Sequence, residues 1–446
     1  MAYRMVIGAA LCVAAAGPVA AQNVVDGLSA NAPALAPQEP RSVGVTTLTL
    51  TNPDQPDITA AVAGQTSLGA VPSRDRDLVL DVWYPAVDGA TGDTTLNAFL
   101  RDGVTQVELQ GRAVRDAQAA DTGPLPLVLL SHGYPGNRYL MSHLGENLAS
   151  KGYVVASIDH DESTYRTANG FATFPSTLLN RPRDQMFVLD QLARKNGEAG
   201  FALEGRIDAE NTGIVGYSMG GYGALIAAGA GLADRTGLFG LDPYLTANQS
   251  GTQSHADLQD DRLKTVVAIG PWGRQRDAWD RDGLSEIDIP ALFIAGSADD
   301  VSLYEDGVRQ IFADTVGTDR ALLTFEGEGH NAAAPIPAPD EAVAIGGNVL
   351  AHYEGRAFSN LFMNDVAQHF LTAWFDAELK GDDAKRAFLE LVEDGADGWT
   401  GFADGAADGL RWETLAAGAT LQPIPLPAGV WLLGGALLGL GALRRR

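Results

Sequence analysis

The chain has 446 residues, 46% of them hydrophobic, which is enough for the packed core of one large domain or two ordinary ones. Its 31 Lys and Arg stand against 56 Asp and Glu, a formal charge of -25. That balance excludes a nucleic-acid partner, which would need clustered cations, and reads instead as a solvated acidic surface. Residues 1–21, "MAYRMVIGAALCVAAAGPVAA", combine one Arg, an apolar run, a Gly-Pro break and small residues before Gln22, the pattern of a secretory signal peptide cut by signal peptidase after Ala21. Cys12 is the only cysteine and leaves with this segment, since Leu11 before it does not fit a lipoprotein anchor. The mature chain then offers no disulfide, thiolate metal site or cysteine nucleophile.

Residues 22–42 are Pro- and Ala-rich without periodicity and read as a leader. An alternating strand follows at 43–50, and "DLVLDVWYPA" at 77–86 forms a second that ends at a Tyr-Pro break. Residues 87–124 are polar and loop-like, with a short helix expected around 96–101. From residue 125 short apolar strands alternate with helices: "LPLVLLSHG", a helix around 139–151, "GYVVASIDH", a helix around 182–195, "NTGIVGYS" and a helix around 220–230. After a longer polar loop at 231–262 come "LKTVVAIGP", "IPALFIAGSADD", a helix around 303–315, "RALLTFEGEGH" and a helix at 364–381. Aliphatic strands separated by helices predict an α/β fold with a doubly wound, mostly parallel sheet covered on both faces. The catalytic domain is expected to span 43–394, and the Gly- and Asp-rich stretch 395–420 reads as a linker.

Residues 421–446 close the chain as a sorting or transmembrane segment. Ile424 to Leu443 are 20 uncharged residues, about 30 Å of helix, and three arginines follow, placed on the cytoplasmic side by the positive-inside rule. With "PIPLPA" ahead of the helix, this segment resembles the tails of bacterial surface proteins that an exosortase-type transpeptidase cuts and transfers to the cell surface. A plain membrane anchor is the competing reading.

The chemistry centres on Gly216-Tyr217-Ser218-Met219-Gly220, a G-x-S-x-G turn between a predicted strand and helix. A serine that merely caps the helix is the bland alternative. Ser218 as nucleophile needs a base, because a neutral hydroxyl is weak near pH 7. Of the seven histidines His330 directly follows a late strand, and Asp299 follows the strand before it, with Asp300 as fallback. The amide of Met219 and that of Tyr134, in the "SHGYPG" loop after an early strand, are the expected oxyanion donors. His132 shapes that loop, and Trp272 in "GPWG" together with Tyr134 is a candidate wall of the acyl pocket. Asp159, His160 and Asp161 are consecutive and converge poorly on one ion, so no metal and no cofactor are expected. "GYSMGG" lacks both the lysine of a phosphate loop and the G-x-G start of a dinucleotide site.

The series "DLVLDVWYPA", "PLVLLSHGYPGNR", "LASKGYVVASIDHDEST", "RPRDQMFVLDQL", "GIVGYSMGGYGAL" and "VVAIGPWG" resembles the platelet-activating-factor acetylhydrolase and predicted dienelactone hydrolase branch of the α/β hydrolases, over about residues 43–390. The resemblance implies a metal-free serine triad that cleaves small or short-acyl esters. True dienelactone hydrolases use a cysteine where this chain has Ser218, so dienelactones are not implied. Polyester or lipid hydrolysis, peptidase action with the same triad, and a non-catalytic surface binding protein on this scaffold are the rival readings.

Overall fold

Leu127 and Leu129 of one central strand face one core cluster, while Val128 and Leu130 between them face the other. A strand apolar on both sides needs cover on both faces, and that requirement organises the molecule. The structure is a computed structural model that describes residues 23–64, 71–390 and 399–421. The segments read as signal peptide and, but for its first residue, as sorting tail lie outside the described residues. Among the described residues no helix is long and apolar enough to cross a membrane.

The strands in chain order are β1 (Val43–Pro56), β2 (Ser73–Pro85), β3 (Thr95–Phe99), β4 (Gln106–Gln110), β5 (Val114–Arg115), β6 (Leu125–Ser131), β7 (Val154–Asp159), β8 (Ile207–Tyr217), β9 (Leu263–Ile269), β10 (Ala291–Gly296), β11 (Arg320–Phe325) and β12 (Leu410–Leu415). Ten of them form one sheet in the order β12-β11-β10-β9-β8-β6-β7-β2-β1-β5. The run from β7 through β6, β8, β9 and β10 to β11 is parallel. The pairs β1–β2, β2–β7 and β11–β12 are antiparallel. Helices Phe174–Asn196 and Met219–Ala227 bury their apolar residues in the first cluster; Ser142–Ser150 and Asn360–Lys380 bury theirs in the second. The carboxyl ends of the parallel strands all open on one edge, where ligands of open α/β sheets bind.

The expected strand and helix alternation from residue 125 is observed, with one shift: the helix expected around 182 starts at Phe174 and runs through Pro182. Three other expectations are corrected. No helix forms around 96–101; Leu96 and Ala98 of β3 and Val107 and Leu109 of β4 are buried on one side of an antiparallel hairpin, a period of two and not of 3.6. Residues 23–42 are not a loose leader. Val25 and Ala36 are wholly buried, and the amides of Ser29 and Leu35 donate to Asp365 and His369 on the helix Asn360–Lys380. Finally, the stretch read as a linker contains β12, paired with β11 from Arg320–Leu415 to Phe325–Leu410. The last two segments owe their order to partners distant in sequence, so local periodicity does not betray them.

Candidate active site

Ser218 joins β8 to the helix Met219–Ala227 with φ 53° and ψ -111°, a strained conformation for a residue with a Cβ. The flanking glycines make room for it. A Cβ on Gly220 would lie 1.9 Å from the carbonyl oxygen of Ser131, and one on Gly216 would lie 2.3 Å from that of Gly220. Backbone bonds brace the turn, from the Ser218 amide to Ile269 (2.8 Å) and from the Trp272 amide to Ser218 (3.1 Å).

Two further strand ends bring their residues to Ser218. His330 Nε2 stands 2.9 Å from Ser218 Oγ, and His330 Nδ1 stands 2.8 Å from Asp299 Oδ2. The Asp299 side chain is fully buried, and its other oxygen accepts the amides of Val301 (2.8 Å) and Ser302 (2.9 Å). Asp300 points elsewhere: its exposed carboxylate pairs with Arg356 at 2.6 Å, and that hydrogen bond lowers its pKa. An unanticipated residue, Glu328, holds the loop before His330. Its buried carboxylate accepts the amides of Arg356, Ala357 and Phe358, as well as that of Gly329. Asn331 ties the same loop to the carbonyls of Ala351 and Glu354.

Tyr134 and Met219 line the same cleft as Ser218, and among the described residues neither backbone amide donates to a protein acceptor. The Tyr134 loop is fixed from behind by Arg181, 1% exposed, whose guanidinium donates to the His132 carbonyl and to Ser163 Oγ. His132 itself bonds its neighbour Gly133 through Nδ1 (2.6 Å), and burial holds its imidazole well below the usual pKa. The side chains of Asp159, His160 and Asp161 diverge, toward Arg138, toward Ser131 and Asp184, and toward Arg74.

Ser218 lies at the seam of two clefts. One, of about 520 Å³, is the more polar and contains His330, Asn331, Arg101, His352 and Arg356. The other, of about 320 Å³, contains Tyr134, Met219 and Trp272, and three phenylalanines that sequence reading did not single out: Phe171, Phe174 and Phe239. Their rings meet edge to face, Phe174 with Trp272 at 5.5 Å, Phe174 with Tyr134 at 5.1 Å and Phe171 with Phe239 at 5.4 Å. Phe239 comes from the polar loop 231–262, and its aromatic partners lie far away in sequence.

A family model described as PET hydrolase-like matches residues 117–238, the span that holds the Tyr134 loop and the Ser218 turn. Cutinase est2 of Thermobifida alba is 25% identical over 208 residues, 46% of this chain and 52% of that protein. A bis(hydroxyethyl) terephthalate hydrolase of Streptomyces coelicolor is 24% identical over 213 residues, 47% of this chain and 51% of that protein. The chain thus spans about half the length of these curated relatives. A ferulic acid esterase from Streptomyces cinnamoneus superposes with a TM-score of 0.53 at 20% identity, covering 81% of this chain and 94% of that one. The family model that matches differs from the acetylhydrolase branch that the motif series resembles. The sheet order and the solved neighbour show that this chain has an α/β-hydrolase-like fold.

Proposed function

We propose that this chain is a serine carboxylic ester hydrolase. The observation that carries the reading is the unbroken hydrogen-bonded line Asp299–His330–Ser218 at the seam of the two clefts. Ser218 Oγ attacks the ester carbonyl and gives its proton to His330 Nε2, while Asp299 orients the imidazole and stabilises its cation. The carbonyl oxygen becomes an oxyanion between the amides of Tyr134 and Met219. On collapse the alkoxide leaves with the proton from His330, which then takes one from water as that water attacks the acyl-serine, and returns it to Ser218 Oγ.

This proton traffic also orients the substrate. The leaving alcohol must face His330, so it occupies the polar cleft; the acyl group lies in the aromatic pocket, which holds Ser218 and Met219 but not His330. At about 320 Å³ that pocket sits at the small end of ligand sites, ~300–1,000 Å³, and suits a single ring or a short chain. Polyester hydrolysis is the second reading, favoured by the PET hydrolase-like family model and by Phe171, 75% exposed at the open rim, where a longer chain could run out of the pocket.

Ser218→Ala, with 4-nitrophenyl acetate, butyrate and benzoate as substrates, tests the reaction. We expect kcat to fall by roughly 10³-fold or more and labelling by a fluorophosphonate probe to vanish. Undiminished turnover refutes the assignment. The boundaries 43–394 of the catalytic domain extend, on this reading, to the flanking segments packed against it. Export through the signal peptide 1–21 and sorting through 421–446 belong to the same proposal, and mass spectrometry of mature protein from its native host checks both ends.

A further inference from the structure

The aromatic pocket beside Ser218 carries one ionic group among its lining residues, the exposed guanidinium of Arg276. In a chain with 56 acidic residues, this cation has no carboxylate partner among the described residues, although its neighbours Arg274 and Asp277 pair with each other at 3.6 Å. Its guanidinium carbon lies instead 5.3 Å from the centre of the Phe239 ring, which is itself part of the pocket wall. The backbone is set to hold it there. Arg276 lies in a tight turn between Gly273, at φ 142°, and Asp277, at φ 51°. The Gly237 amide donates to the Arg276 carbonyl at 2.6 Å, and a Cβ on Gly237 would lie 2.7 Å from that oxygen. Phe239 is also left-handed, at φ 59°. Strained non-glycine residues persist where the surroundings over-determine them, and such residues cluster at ligand clamps.

We infer that Arg276 is a specificity-determining residue, and that the acyl group this site prefers is an aromatic ring bearing a carboxylate at the end away from the ester. The inference rests on the ester-hydrolase reading above. An apolar cage selects the ring; a guanidinium beside the Phe239 ring, its donors unpaired among the described residues, donates to a carboxylate in the plane of its fork, which a neutral acyl group would leave unmet. Half-esters of aromatic dicarboxylic acids, and polyester chain ends that terminate in a carboxylate, share this chemistry.

A matched pair tests it: 4-nitrophenyl 4-carboxybenzoate and 4-nitrophenyl benzoate differ only in the distal carboxylate. Wild-type protein is expected to prefer the carboxylated ester in kcat/KM by roughly tenfold, the scale of one charge-assisted hydrogen bond at a partly exposed site. High salt should shrink that preference. Arg276→Gln should abolish it, and Arg276→Glu should invert it in favour of 4-nitrophenyl 4-(aminomethyl)benzoate. Because the intrinsic reactivity of each ester is common to all variants, the ratio between substrates reads recognition and not folding. No preference in wild type, a preference that survives Arg276→Gln, or equal losses on both esters overturns the inference. Failure of the underlying reading shows separately, as turnover of the plain benzoate by Ser218→Ala.

Discussion

Arg181 donates through its buried guanidinium to the carbonyl oxygen of His132, two residues before the Tyr134 amide, and so ties the proposed oxyanion loop to the helix Phe174–Asn196. The same guanidinium holds Ser163, in the loop after β7. Arg181→Met removes both donors and leaves two buried acceptors unmet, which costs about 1–3 kcal/mol of stability. If the loop shifts, the Tyr134 amide no longer meets the oxyanion, and kcat should fall by roughly 10- to 100-fold with KM little changed. Arg181→Lys keeps the charge but loses the fork and should fall between. Urea midpoints and kcat on 4-nitrophenyl benzoate measure the two effects, and an unchanged kcat would show that the loop holds without Arg181.

Adjacent acids with opposite surroundings give a second comparison. Asp299 has a fully buried side chain between two amides and His330, whereas Asp300 is exposed and paired with Arg356. Asp299→Asn should reduce kcat by about 10³- to 10⁴-fold, through the wrong imidazole tautomer and an unstabilised cation. Asp300→Asn removes only an exposed ion pair and should leave kcat within about twofold. The reverse pattern would assign the acid to Asp300.

Ser218 of the proposed triad was legible because it depends on local chain chemistry: a strand, then a turn whose backbone leaves no room for side chains at Gly216 and Gly220. Chain order then selected His330 and Asp299 from many candidates. The parallel core was legible for a similar reason, since a strand buried on both faces must be continuously apolar. What escaped was the tertiary part. Phe171, Phe174 and Phe239 become one pocket wall only when the loop 231–262 folds back over the helix start, and Glu328 acquires its role from amides about 30 residues downstream. The packed segments at 23–42 and 399–421 escaped because Pro- and Ala-rich or Gly- and Asp-rich sequence carries no period, while its burial is set by the helix and strand beneath it.

Six histidines confer a pH dependence of stability. Burial lowers the pKa of His132, His160, His352 and His255, and pushes His143 and His369 down to about 3. In the unfolded chain these groups titrate near 6.5, so below that pH the unfolded state binds more protons than the folded one. Stability is therefore fully present above about pH 6.5 and falls as pH drops toward the folded values, by about 1 kcal/mol per pH unit for each histidine. His143 isolates the effect, because among the described residues neither ring nitrogen has a hydrogen-bond partner and burial alone shifts it. Urea midpoints of wild type and His143→Leu between pH 7.5 and 4.5 should converge or cross as pH falls, with the variant less acid-sensitive by about one proton's slope. Parallel profiles would mean that His143 is charged in the folded protein or that the variant unfolds by another route.

The stretch 399–421 makes the last prediction, because a linker and a structural strand respond oppositely to its loss. Strand β12 covers the edge of β11, whose far end leads to His330, and Trp412 stacks on Phe370 at 5.0 Å while Trp399 packs edge to face on the same ring at 6.1 Å. Trp399 is only 5% exposed, so Trp399→Ala should cost about 3 kcal/mol through the cavity it leaves. A stop after Glu390 should do worse, uncovering both the β11 edge and the Phe370 ring and giving an aggregation-prone protein with little activity. A stop after Leu421 keeps β12 and should retain both the urea midpoint and kcat. Equal stability of the two truncated proteins would return residues 399–421 to the status of a linker; a large difference makes them part of the catalytic domain.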